Sequence, residues 1–96
     1  MLKGFDDRKD LYKQLDICQQ VVDGMKIYRC FKSCSTGKFF VQSCDYFTEP
    51  LNSAQLEHSN LQMLELFSEE DIQARTNGFH SLHEAIHNFD CDFENK

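Results

Sequence analysis

His83, Glu84, Ala85, Ile86 and His87 stand in consecutive positions. On a helix this spacing sets two imidazoles one turn apart. Two such nitrogens can share a zinc ion, and a glutamate beside the first can take a proton from zinc-bound water. Cys91 lies one further turn beyond His87 and is the next candidate ligand for the same ion. Glu84 also has a competing role. Ser81 and Glu84 have capping-box spacing, in which the glutamate closes back on the first free amide of the helix. With Leu82, Ile86 and Phe89 as its buried stripe, that helix carries His83 at its edge and His87 toward solvent.

The five-residue run resembles the signature of the zincin metalloproteases. The resemblance implies a zinc-dependent hydrolase with His83 and His87 as ligands and Glu84 as general base. It extends no further than those five residues, and the acceptable third ligands after His87 are Asp90, Cys91, Asp92 and Glu94. Chance supplies such a match readily in a chain rich in Glu and His. The expectation is therefore no cofactor and no bound metal, with His83, His87 and Cys91 as weak candidate ligands.

A second chemical grouping lies in residues 26–47. Two runs rich in aromatic and β-branched side chains flank Ser35, Thr36 and Gly37, which signals a β-hairpin. A three-residue loop needs positive φ only at Gly37 and opposes Cys34 to Lys38. One face then carries Ile27, Arg29, Phe31, Ser33, Phe39, Val41, Ser43, Asp45 and Phe47. The other carries Lys26, Tyr28, Cys30, Lys32, Lys38, Phe40, Gln42, Cys44 and Tyr46. From that second face Lys26, Tyr28, Lys32, Lys38, Phe40, Gln42 and Tyr46 form a candidate surface for a ligand or partner. Basic and aromatic side chains on an open sheet can stack bases and track phosphates, so a nucleic-acid or anionic ligand is one alternative. On the apolar face Arg29 and Asp45 are expected to pair across the strands, because buried charges are seldom left alone.

The cysteines add no metal site. Cys30 and Cys34 are about 13 Å apart along an extended strand, and no Cys-x-x-Cys occurs. Five cysteines, an odd number, in a chain with no export signal at its start are read as reduced thiols in the cytoplasm.

The elements that must position these groups follow from period and punctuation. Residues 6–22 are expected to be a helix on the stripe Leu11, Leu15, Cys18 and Val22, ended by Gly24. The rival is a tight turn at Asp23 and Gly24 joining strands 17–22 and 25–34. Helices are expected at 51–67, with Leu61, Leu64 and Phe67 inward, at 68–75 and at 81–90. The fold class is α+β, in the order α-β-β-α-α-α. A small antiparallel hairpin sheet over 26–47 is packed on one face by three to four helices, all within a single domain of residues 1–96.

Charge separates along the 96 residues. The chain is −6 overall. Residues 26–45 are net +3, whereas residues 46–96 are net −8, with Arg75 and Lys96 against ten acids. That balance weighs against nonspecific nucleic-acid binding and toward a basic partner. No apolar run approaches the roughly 20 residues that span a bilayer. The expected function is therefore a small acidic cytoplasmic protein without catalytic activity. It would neutralise or chaperone a basic protein partner, or associate with itself through the open edge of its sheet.

Overall fold

The computed structural model describes residues 10–94. Three strands come first, β1 Tyr12–Val21, β2 Gly24–Ser33 and β3 Phe39–Thr48. Three helices follow, α1 Ser53–Glu69, α2 Ile72–Arg75 and α3 Leu82–Glu94. The strands form an antiparallel meander in the order β1-β2-β3. The class is α+β, but the order is β-β-β-α-α-α, which corrects two expectations.

The first correction concerns residues 12–21, which are a strand rather than part of a helix. Residues 6–9 of the expected helix lie outside the described residues. The supposed stripe is not inward: Leu11, Cys18 and Val22 are exposed. The chain instead alternates. Leu15 and Ile17 pack on one face, while Tyr12 and Asp16 serve the other. Val21 pairs with Gly24 across a two-residue turn. Gly24 is needed there for close approach, since a Cβ on it would sit 2.0 Å from the Phe47 carbonyl oxygen of β3.

The second correction concerns the cover of the sheet, which lies on both faces. Tyr28, Cys30 and Val41 meet Leu82, Ala85, Ile86 and Phe89 of α3 on one side. Phe31 and Phe40 meet Met63 of α1 and Ile72 of α2 on the other. This places β2 at the centre of the core, and its residues 27–31 are all buried. Two covered faces explain why β2 lacks the strict apolar–polar alternation of a half-solvated strand.

Gly37 is the loop residue with positive φ, at 76°, as its position in the turn requires. The loop itself differs by one residue. Ser33 donates its amide to Lys38 and accepts from Gly37, both at 2.9 Å, so residues 34–37 form a four-residue loop. The Ser33 hydroxyl explains the change, because it accepts from the Thr36 amide at 3.1 Å and binds Asp10 and Ser35. The resulting one-residue offset is absorbed in β3, where Arg29 opposes Ser43 but Cys30 opposes Val41. Gln42 is the extra residue of this bulge. Below the bulge the expected faces hold, whereas above it Phe40 joins Phe31 and Val41 joins Cys30.

Helix α1 is capped by the Asn52 side chain, which accepts from Ala54 N at 2.8 Å. It turns Ser59 and Met63 inward and leaves Leu61 and Leu64 exposed, contrary to expectation. The reason is Ser59, a polar residue in the buried stripe that serves the charge cluster described below.

Five free thiols give one direct check on this packing. Cys18 and Cys34 are exposed, whereas Cys30 is fully buried, and burial pushes its thiol up to about 12. Cys44 is shifted upward as well, chiefly by burial. Alkylation of the native protein at neutral pH should modify Cys18 and Cys34 promptly and Cys30 only after denaturation. Peptide mapping that found Cys30 modified at the rate of Cys18 would contradict the buried position of β2.

Candidate functional site

A cleft of about 420 Å³ opens where the C-terminal end of α1, the start of β1 and α2 converge. Volumes of this order suit a side chain or a small ligand. Its apolar wall is Tyr12, Phe67 and Ile72, and its rim carries Asp10, Glu69, Glu70 and Asp71.

Each position has a local cause. Glu69 is the last residue of α1, and the Glu70 amide closes that helix on the Leu66 carbonyl at 3.1 Å. Asp71 then caps α2, accepting from the Gln73 amide at 3.1 Å. The break between the two helices therefore holds three acids in succession at one corner. Phe67 is fixed by a stack on Phe31, with centroids 4.1 Å apart and planes 16° apart, and Tyr12 meets Phe67 edge-on at 5.4 Å. The Gln73 side-chain amide donates to the Tyr12 hydroxyl at 2.7 Å, tying α2 to β1.

The electrostatics favour a cation. The hydrogen bond from Ser33 holds the Asp10 carboxyl below the usual carboxylate range, against a smaller opposing effect of burial. Burial pushes the Tyr12 phenol up, so it stays neutral. Arg75 reaches Glu70 at 3.2 Å, and among the described residues no lysine, arginine or histidine lines the cleft itself. A lysine or arginine side chain entering here would lay its stem and charge against the rings and meet carboxylates at the rim. Among the described residues, neither a histidine nor a cysteine stands in the lining.

The candidate residues on the hairpin are divided by the fold. Tyr28 is buried under α3, where its hydroxyl donates to both oxygens of Asp90 at 2.9 and 3.0 Å. Burial is the main cause of its raised phenol pKa, with Lys26 opposing. Lys26 lies over the rings of Tyr28 and Tyr46 at 5.0 and 5.6 Å, and Lys32 lies over Phe39 at 5.3 Å. Phe40 is buried on the opposite face beneath α1 and α2. Gln42 is buried there as well, donating to the Met63 carbonyl at 3.1 Å. Lys38 sits beside the loop, and Tyr46 is exposed on β3. The bulge thus separates residues that an unbroken register would place together.

Arg29 does pair with Asp45, at 3.3 Å, and it also binds Asp16 at 3.0 Å and Ser59 at 2.8 Å. Ser59 in turn donates to Asp45 at 2.6 Å.

His83 and His87 are exposed on α3, and the Ser81 hydroxyl accepts from the Glu84 amide at 3.1 Å, which is the N-terminal half of the capping box. His87 Nε2 lies 3.7 Å from the Cys91 sulfur. Among the described residues, no three His, Cys, Asp or Glu side chains are grouped to hold a metal ion.

Asp10, Tyr12, Phe67 and Gln73 were not candidates from sequence. The run Glu69, Glu70, Asp71 within the −8 segment was the available signal for the rim; the wall needed tertiary structure. No helix among the described residues is long and apolar enough to cross a membrane. No protein-family model, curated protein or solved structure matches the chain, so its geometry carries the functional reading.

Proposed function

We propose that this chain is a non-enzymatic binding module for a basic protein segment, received at the acidic corner formed by α1, α2 and β1. The observation that carries the reading is the division of charge by the fold. The cations of β2 are engaged within the molecule, Arg29 by Asp16, Asp45 and Ser59, and Lys26 and Lys32 by aromatic rings. The acids Glu69, Glu70 and Asp71 face outward around an aromatic wall. Binding would neutralise the partner and shield its basic side chains, which suits a chaperoning or carrier role.

The test is calorimetric titration with a lysine-rich peptide. Binding should weaken steeply as salt is added, because the contacts are exposed charges. Glu69→Lys/Glu70→Lys should lower affinity about tenfold, whereas the charge-matched Glu57→Lys/Glu65→Lys on the outer side of α1 should lower it much less. Equal losses in the two double variants would detach binding from the cleft. Absence of any binding at low salt would overturn the reading altogether.

A further inference from the structure

The two edges of the sheet are not equivalent. The outer edge of β3 begins with Phe39, whose amide and carbonyl exchange hydrogen bonds with Phe79 at 2.8 and 2.9 Å, and it carries the Gln42 bulge. Strand β1 has neither device. It pairs with β2 over ten consecutive residues without a register shift, contains no proline, and among the described residues has no strand on its outer side. A long, regular edge with no neighbouring strand among the described residues is a template for another strand.

Ladder parity shows which groups that edge offers. The Cys34 amide donates to the Leu11 carbonyl at 2.8 Å, marking Leu11 and Cys34 as a hydrogen-bonded pair. Bonded pairs recur at every second residue. Lys13, Leu15, Ile17, Gln19 and Val21 therefore direct their backbone groups toward β2. Tyr12, Gln14, Asp16, Cys18 and Gln20 direct theirs outward.

We propose that β1 pairs antiparallel with β1 of a second copy, about a two-fold axis centred on Ile17, to give a continuous six-stranded sheet. Charge argues for a second copy. The molecule is −6, yet β1 carries only Lys13 and Asp16, and Asp16 is already held by Arg29. The edge is thus a neutral strip on an acidic body, with no charge to attract the basic segment that suits the cleft.

Self-pairing that keeps each sheet face on its own side requires opposed residue numbers with an even sum. Centring on Asp16 would set that carboxylate against itself, and like charges directly opposite are destabilising. Centring on Ile17 avoids this and still engages residues 13–21 of both strands. Any other centre pairs fewer residues of the strand. In the Ile17 register the two Ile17 side chains meet, extending the apolar row of Leu15 and Ile17 that lies under α3. Gln14 opposes Gln20 of the second copy, twice per dimer.

This interface is separate from the acidic cleft, and salt distinguishes the two. Dimerisation should strengthen as salt screens the charge on each copy, whereas binding of a basic segment should weaken. Sedimentation equilibrium and native mass spectrometry of the full chain should show a dimer. Cys18→Pro removes an outward amide while leaving the β2 ladder intact, a position where an edge strand tolerates proline. It should be monomeric with an unchanged far-UV spectrum.

Two further variants test the register even if the proline variant fails to fold. Gln14→Lys/Gln20→Lys opposes like charges twice and should raise the dissociation constant roughly 2- to 30-fold. Gln14→Lys/Gln20→Glu opposes unlike charges and should lower it by a similar factor. A wild-type protein that stays monomeric at high salt and high concentration overturns the proposal. So does a folded Cys18→Pro dimer, or equal dissociation constants for the two glutamine variants.

Discussion

Replacing Arg29 by methionine should lower the unfolding free energy by about 3 kcal/mol, measured by urea denaturation. The guanidinium is 1% exposed and is shared between Asp16, Asp45 and Ser59. Methionine fills most of the volume, so the loss comes from the groups left behind rather than from a cavity. Asp16 and Asp45 keep about a third of their side-chain surface in water, at 35% and 36%, which places the cost at the lower end for a broken buried pair. Lysine should rescue little, because one ammonium cannot match a planar fork that reaches three partners in different directions. Adding Asp16→Asn and Asp45→Asn to Arg29→Met should return part of the loss, since the uncompensated charges are then gone. If Arg29→Lys were as stable as the wild type, the three-way geometry would have no energetic role.

The same cluster shows what could and could not be read from the linear chain. Arg29 and Asp45 lie at positions of one parity on neighbouring strands, so an in-register hairpin puts them on one face, and their pairing was legible. The part played by Asp16 was not, because a helical stripe through Leu11, Leu15, Cys18 and Val22 competed with alternation in the same residues. Such ambiguity is resolved by tertiary pairing: β2 is buried on both faces, and residues 12–21 complete its ladder along one edge over ten residues. Ser59 was hidden for a related reason. A search for apolar stripes passes over a serine, and so it rotated α1 toward Leu61 and Leu64, which are exposed.

The hairpin illustrates how a local error spreads. Positive φ at Gly37 follows from steric freedom and was readable in isolation. Loop length depended on the Ser33 hydroxyl being held by Asp10, 23 residues earlier. A change of one residue at the tip exchanges the faces of a strand until a bulge restores them. That exchange ends at Gln42, and it is why Phe40 and Gln42 lie away from Tyr28. The basic-aromatic grouping on one face was therefore a product of unbroken register. The acidic corner, by contrast, needed only the local break between α1 and α2 to bring Glu69, Glu70 and Asp71 together, whereas Asp10 reaches the same rim through the tertiary fold.

Phe31→Ala should be the most destabilising apolar substitution in the cluster beneath α1, at about 3–5 kcal/mol in the same denaturation measurement. Phe31 is 3% exposed, stacks on Phe67, and meets Tyr12 edge-on at 6.4 Å. Tyr12 also meets Phe40 at 6.2 Å, so four rings from β1, β2, β3 and α1 share one cluster. Removing the central ring leaves a cavity that the others cannot close, because two of the remaining three, Tyr12 and Phe40, are fixed by the sheet register. Phe67→Ala should cost less, since Phe67 is only half-buried and α1 can settle toward the sheet. The double variant should lose less than the sum of the two, with a coupling of about 0.5–1.5 kcal/mol from the stacked pair. Phe31→Ala should also weaken binding of a basic peptide at the acidic cleft, because the stack is what holds Phe67 in its wall. A folded Phe31→Ala protein that bound the peptide with unchanged affinity would separate the core from the cleft, and would leave the rim acids alone to carry recognition.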